Sequence, residues 1–277
     1  MRLPPLVADV VERYLIAIDA HSPGLIQALY LTGSVALDDF RPGASDIDFL
    51  AVTTQRLDTL ARTGLQRVLA RVSAERRKPF FDGTYVTWSD LKADPAARRP
   101  SASVHQGRWN DHDPDSCDLV TWHTLAWHGV AVRGPEPRMV EVWTDRSALE
   151  AWTLHNMATY WRNWHARARR LPSKLGLANL GTWGPSWGVL GLARQHFTVR
   201  TGDITSEYGA GLYAREVFPS RWHSIIDECL RIRGMPDAPS GYRSALARRR
   251  DTLAFMELVM SDVLGDPPAP SGVGRWH

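Results

Sequence analysis

Cysteine is almost absent from the 277 residues. Cys117 and Cys229 stand far apart and outside any CxxC spacing, which excludes a disulfide framework or a zinc ribbon. Lysine is nearly as scarce: Lys78, Lys92 and Lys174 are the whole supply, so arginine carries almost all the positive charge. No tract interleaves basic and aromatic residues, and a net charge of +3 is small for this length; a nucleic-acid partner is not expected. No apolar run approaches the length of a membrane span. The opening MRLPPLVADVVERYL sets Asp9 and Glu12 where a signal peptide needs an unbroken apolar core. A cytoplasmic monomer without a membrane partner is expected. A GxSxG elbow is also missing, so serine-hydrolase chemistry has no support.

What is present is an ordinary globular composition, 44% hydrophobic and 23% charged, enough for one large or two modest domains. Residues 6–20 repeat apolar positions at helical spacing. A strand is expected at 25–31 and a second in DIDFLAV. The stretch 56–74 reads as an amphipathic helix with Leu57, Leu60, Leu65, Val68 and Leu69 inward, and FDGTYVTW at 81–88 as a strand. Residues 99–114 read as polar and irregular, and 118–132 return to apolar alternation. The breaker cluster Arg133-Gly134-Pro135-Glu136-Pro137 sets a domain boundary near 140. Beyond it the pattern is helical: Leu149, Trp152, Met157, Trp161 and Trp164 share one face, with the tryptophans as core residues. Further helices are expected at 186–199, 207–217, 219–232 and 240–264. The expected domains are 1–140, 141–265 and a mobile Pro/Gly-rich tail at 266–277.

The chemistry concentrates in LTGSVALDDFRPGASDIDFLAV, residues 31–52. On a strand, residues i and i+2 share a face, so Asp46 and Asp48 project together while Ile47 and Phe49 point into the packing. Two adjacent carboxylates repel and raise each other's pKa. A divalent cation removes the conflict, and magnesium takes hard oxygen ligands, often one or two carboxylates with substrate phosphates. Upstream, Gly33 lets the backbone approach a ligand closely. Ser34 offers a hydroxyl and an N–H suited to phosphate oxygens, and a helical turn opening at Val35 would add an anion-binding N-terminus.

This Gly-Ser turn, loop and Asp-Ile-Asp strand resembles the signature of the nucleotidyltransferase superfamily, whose type member is DNA polymerase beta. The second half narrows the resemblance. WGVLGLARQHFTVRTGDITSEYGAGLYA at 187–214, followed by FPSRWHSIIDECL, is similar to the helical C-terminal domain of streptomycin/spectinomycin adenylyltransferases, and HQGRW at 105–109 fits the same family. The resemblance spans most of residues 25–235. It implies an α+β fold: an N-terminal polymerase-beta-like nucleotidyltransferase domain with a short mixed sheet, then an all-α C-terminal bundle. It also implies ATP as co-substrate and two magnesium ions between the domains, with AMP passing to a hydroxyl of an aminoglycoside-type small molecule, as in antibiotic resistance. Gly33 and Ser34 would hold the triphosphate, and Asp46 and Asp48 the metal, although the loop after Ser34 is one residue longer than in the best-known members. Two-metal chemistry wants a third acid, to complete the cage or to take the proton of the attacking hydroxyl. Asp82, beside Gly83, falls on the family's glutamate base. Trp109 matches a tryptophan that packs on the acceptor, and Arg194 an arginine that contacts ATP. Arg194 also shares an apolar helix face with Leu190 and Phe197, where an arginine needs an anion.

Two positions depart from the pattern. Glu207 falls where relatives carry a phosphate-directed lysine, and a carboxylate there would repel the nucleotide. Gly184 falls where a drug-binding aspartate is expected. Alternatives therefore stay open: the same chemistry on another antibiotic, a biosynthetic intermediate or a protein, or a nucleotide-binding protein with a weakened site. His105, His112, Cys117, His123 and His128 match no standard zinc spacing.

Overall fold

The computed structural model describes residues 3–76, 78–97, 99, 101–113 and 118–265. Cys117 and the tail 266–277 lie outside them. The chain divides into two compact units between Arg146 and Ser147, six residues beyond the breaker-cluster boundary.

In the first unit, helix α1 (Pro5–His21) starts on a proline at its first turn, where the missing N–H costs nothing. Val7, Val10, Val11, Tyr14 and Ile18 recur at helical spacing and are buried. Strand β1 (Ile26–Leu31) runs into the short helix α2 (Gly33–Ala36), and β2 (Ile47–Thr53) follows. Helix α3 (Thr59–Glu75) is capped by Asp58, whose side chain accepts from Ala61 N. Leu65, Val68 and Leu69 face inward as expected, but Leu60 is 82% exposed. It lies about 140° round the helix from Leu65 at 3.6 residues per turn.

Strand β3 (Phe81–Thr87) and helix α4 (Trp88–Leu91) follow. The stretch read as polar and irregular is instead a hairpin of β4 (Ser101–His105) and β5 (Arg108–Asp113). Its two turn residues, Gln106 and Gly107, have φ of 51° and 71°, the signs a primed two-residue hairpin turn requires. Helix α5 (Leu119–His128) and β6 (Val130–Arg133) complete the unit.

Among the described residues the sheet order is β5-β4-β3-β2-β1-β6, with β2 and β3 parallel and the other pairs antiparallel. One face, bearing Ile47, Phe49, Phe81, Tyr85 and Val104, packs on α1 and α3. The other carries Tyr30, Leu50, Val52 and Val86 against Trp122 and Leu125 of α5. That second face is left polar at the end where β2 and β3 begin.

The second unit is helical: α6 (Arg146–Asn156), α7 (Arg162–Arg169), α8 (Lys174–Ala178), α9 (Trp183–Thr201), α10 (Glu207–Val217), α11 (His223–Gly234) and α12 (Ala245–Leu264). A π-helical turn at Met157–Trp161 joins α6 to α7. Trp161 and Trp164 are core residues with Leu190 and Phe255, whereas Trp152 is half-buried. The segment after α11 is tied down by buried Glu228, which accepts from Arg231, Ser240 Oγ, Gly241 N and Arg248. Burial alone would push this carboxyl up; the Arg231 fork, Ser240 and Gly241 outweigh it and hold it at about 2.

Candidate active site

The site is built where β1, β2 and β3 end or begin. Thr32 N donates to Asp48 O at 2.9 Å, strapping the Gly-Ser turn to β2. Gly33 has φ of +54°, and a Cβ on it would lie 2.0 Å from Asp48 Oδ2. Only glycine permits that approach. Ser34 Oγ is buried and has no hydrogen-bond partner among the described residues. Such a hydroxyl costs about 1–3 kcal/mol unless a ligand satisfies it.

Asp48 and Asp82 are direct partners across the parallel β2–β3 pair, with strand axes about 4.8 Å apart. Both alternate with residues of the α1/α3 core, so their carboxylates share the other face. Asp46 lies one residue before β2. Its Oδ1 accepts from Phe80 N at 3.3 Å and stands 3.7 Å from Lys78 Nζ. Among the described residues no three His, Cys, Asp or Glu side chains form a ready metal cluster, so Asp46, Asp48 and Asp82 are not gathered as a closed cage. The pair Asp48–Asp82, beside an unsatisfied Ser34 hydroxyl, nevertheless fits magnesium. That ion takes one or two protein carboxylates and completes its octahedron with phosphates and water.

Asp82 is 6% exposed. Its Oδ2 accepts from Gln106 N at 2.6 Å and its Oδ1 from Gly107 N at 3.3 Å, so the hairpin turn fixes the carboxylate. Burial raises its pKa, and the two amides and nearby His105 oppose that shift. Gly83 serves packing rather than ligand access. A Cβ there would lie 2.0 Å from Phe49 O, on the packed face.

A cavity of about 540 Å³ opens from Thr32, Asp48 and Asp82 across Thr84, Ser103, Asn110 and Asp113. The register aligns Leu50, Thr84, Ser103 and Asn110 in one row across four strands. Sequence reading missed this polar wall, although the alternation in SASVH was its signal. Trp109 also borders the cavity, with its ring engaged on the other face of the sheet. Its indole packs with the α1/α3 core, 5.4 Å from the Tyr85 ring, and its Nε1 donates to Asp111 at 2.8 Å. Val104, its cross-strand partner, belongs to the same core.

In the second unit, Arg194 lies on α9 half-buried, without a hydrogen bond or ion pair among the described residues. Glu207 opens α10 and pairs with Arg233 at 3.0 Å. Its charge is matched within the unit, which corrects the reading of a bare carboxylate facing phosphates. At Gly184, a Cβ would lie 2.9 Å from Ala178 O, so this backbone leaves no space for an acid. His123 is buried, with Nδ1 2.6 Å from Leu119 O, and joins no metal cluster.

Comparison with known proteins agrees with this architecture. Residues 12–78 match the family model described as nucleotidyltransferase domain, and residues 156–246 match that of the aminoglycoside adenylyltransferase C-terminal domain. The fold is similar to spectinomycin adenyltransferase AAD(9) from Enterococcus faecialis, solved with ATP and spectinomycin. The TM-score is 0.62 at 12% identity, covering 90% of this chain and 98% of that one. None of the curated protein sequences matches the chain. Among the described residues no helix is long and apolar enough to cross a membrane.

Proposed function

Because the chain belongs to the aminoglycoside adenylyltransferase family of the nucleotidyltransferase superfamily, we propose that it transfers AMP from ATP to a hydroxyl of an aminoglycoside- or aminocyclitol-type small molecule, with magnesium. The observation that carries the reading is the side-by-side pair Asp48–Asp82, next to the buried Ser34 hydroxyl and at the head of a drug-sized cavity. Gly33 and Ser34 hold triphosphate oxygens. Asp46 and Asp48 hold the metal, with Asp82 beside them, in the two-ion arrangement the resemblance implies. Magnesium, when bound, neutralises phosphate charge.

Asp82 serves as the base. The acceptor hydroxyl gives its proton to a carboxylate oxygen of Asp82. The acceptor oxygen bonds to the α-phosphorus as the bond to the bridging oxygen breaks, and pyrophosphate leaves. Burial moves Asp82 in the direction a general base needs, and the Gln106 and Gly107 amides keep it oriented. Arg194, a half-buried cation of the helical unit without an acceptor among the described residues, is available to an anion. The crowded backbone at Gly184 favours a second reading in which AMP passes to another acceptor. The Glu207–Arg233 pair removes the reason for supposing a weakened nucleotide site.

The test is mass spectrometry of an acceptor panel incubated with protein, magnesium and each nucleoside triphosphate. A gain of one AMP on an aminoglycoside or aminocyclitol is expected. Gain on none of the panel would sink the reading.

A further inference from the structure

Along β5 the side chains alternate, with Trp109 and Asp111 turned to the α1/α3 face: the Trp109 ring rests on Tyr85, and Asp111 accepts from its Nε1. Continued alternation would send Asp113 the same way. It does not, because the ladder slips. Asn110 pairs with Ser103 but Asp113 pairs with Ser101, so β5 takes three residue steps where β4 takes two. An extra residue of this kind re-aims the side chain that follows it. Asp113 consequently lines the cavity, half-buried, with Oδ2 accepting from Ser103 Oγ at 2.6 Å.

The two ends of the cavity face different reactants. If Gly33 and Ser34 hold the triphosphate on the β1–β2 side, the attacking hydroxyl enters opposite the leaving pyrophosphate. That is the side of Asp82 on which β4 and β5 lie. From β2 to β5 is three strand spacings, about 14 Å, room for a ligand of more than one ring. The cationic lining residue, Arg108, sits at the hairpin tip, five residues and about 16 Å of strand from Asp113. The row between Asp82 and Asp113 includes the neutral polar side chains Thr84, Ser103 and Asn110, with His105 beside Asp82.

We propose that Asp113, turned into the cavity by the β5 bulge and braced by Ser103, selects an acceptor bearing an ammonium or guanidinium group. The inference rests on the proposed transfer reaction for its orientation and adds the residue that chooses the acceptor.

Calorimetric titration of the full chain with spectinomycin and with streptomycin, in the presence of magnesium and a non-hydrolysable ATP analogue, tests it. Asp113→Asn keeps an oxygen for the Ser103 hydroxyl and removes only charge. It is expected to weaken binding of the cationic ligand roughly tenfold or more, as loss of a charge-assisted contact does, while the analogue binds as in the parent. Asp111→Asn removes the same charge from the opposite face and is expected to match the parent. Equal affinity in Asp113→Asn, equal losses in both variants, or no binding of either compound by the parent would each overturn the proposal. Mass spectrometry of the parent with an uncharged polyol, run alongside, reports on AMP transfer independently. Transfer there without cation binding would leave the reaction standing and remove only the selector.

Discussion

Ser34 illustrates how one side chain separates ligand binding from folding. Its hydroxyl is buried without a partner among the described residues, a desolvation cost that a phosphate oxygen would relieve. Ser34→Ala removes that cost together with the contact. The KM for ATP should rise roughly tenfold, the value of a hydrogen bond to a charged group, while the melting temperature stays level or increases. Steady-state kinetics and a thermal melt check both halves. A lower melting temperature with unchanged KM would mark Ser34 as a structural residue. Gly33 and Ser34 stood out as candidates in the sequence because a Gly-Ser turn precedes Asp-Ile-Asp. The strand that carries Trp109 was harder to read. Its polar neighbours suggested a loop, and only strand pairing reveals which face an aromatic occupies.

Helices were easier to read than the hairpin. The 3.6-residue periodicity of α1 and α10 is written in their buried positions, whereas β4–β5 is short, edge-placed and largely polar. Its turn, Gln106-Gly107, holds Asp82 by amides that no sequence pattern announces. Glu207 belongs to the same lesson. Aligned by motif, it opposes a phosphate; in the fold it sits at the first turn of α10, where a carboxylate suits the dipole, and pairs with Arg233. Glu207→Lys should therefore cost about 1–3 kcal/mol of stability, since it loses that pair and sets two cations together. A thermal melt should fall by several degrees with ATP affinity within twofold of the parent. Tenfold tighter nucleotide binding would show that Glu207 faces the phosphates after all.

At the scale of the whole molecule, two units of different construction each match a family model of their own. The sheet unit holds the acids, the Gly-Ser turn and the cavity; the helical unit holds Arg194 and a core of tryptophan, phenylalanine and leucine. The α+β class is the one the family resemblance implied, and the sheet and helices have it. The positions of the acceptor-facing residues could not be read that way, because they depend on a bulge in register. In the proposed reaction, the carboxylates at the start of β2 and β3 carry nucleotidyl transfer. The direct measurement is pyrophosphate release and AMP-adduct formation by the parent and by Asp48→Asn, on whichever acceptor the parent modifies, with circular dichroism and melting recorded for both. The parent should form pyrophosphate and adduct in equal amounts. Asp48→Asn should fall to about 1% or less of that rate, the scale of loss seen when a group stabilising transition-state charge is removed, with its fold unchanged. Adduct formation at the parental rate by a folded Asp48→Asn would contradict the account.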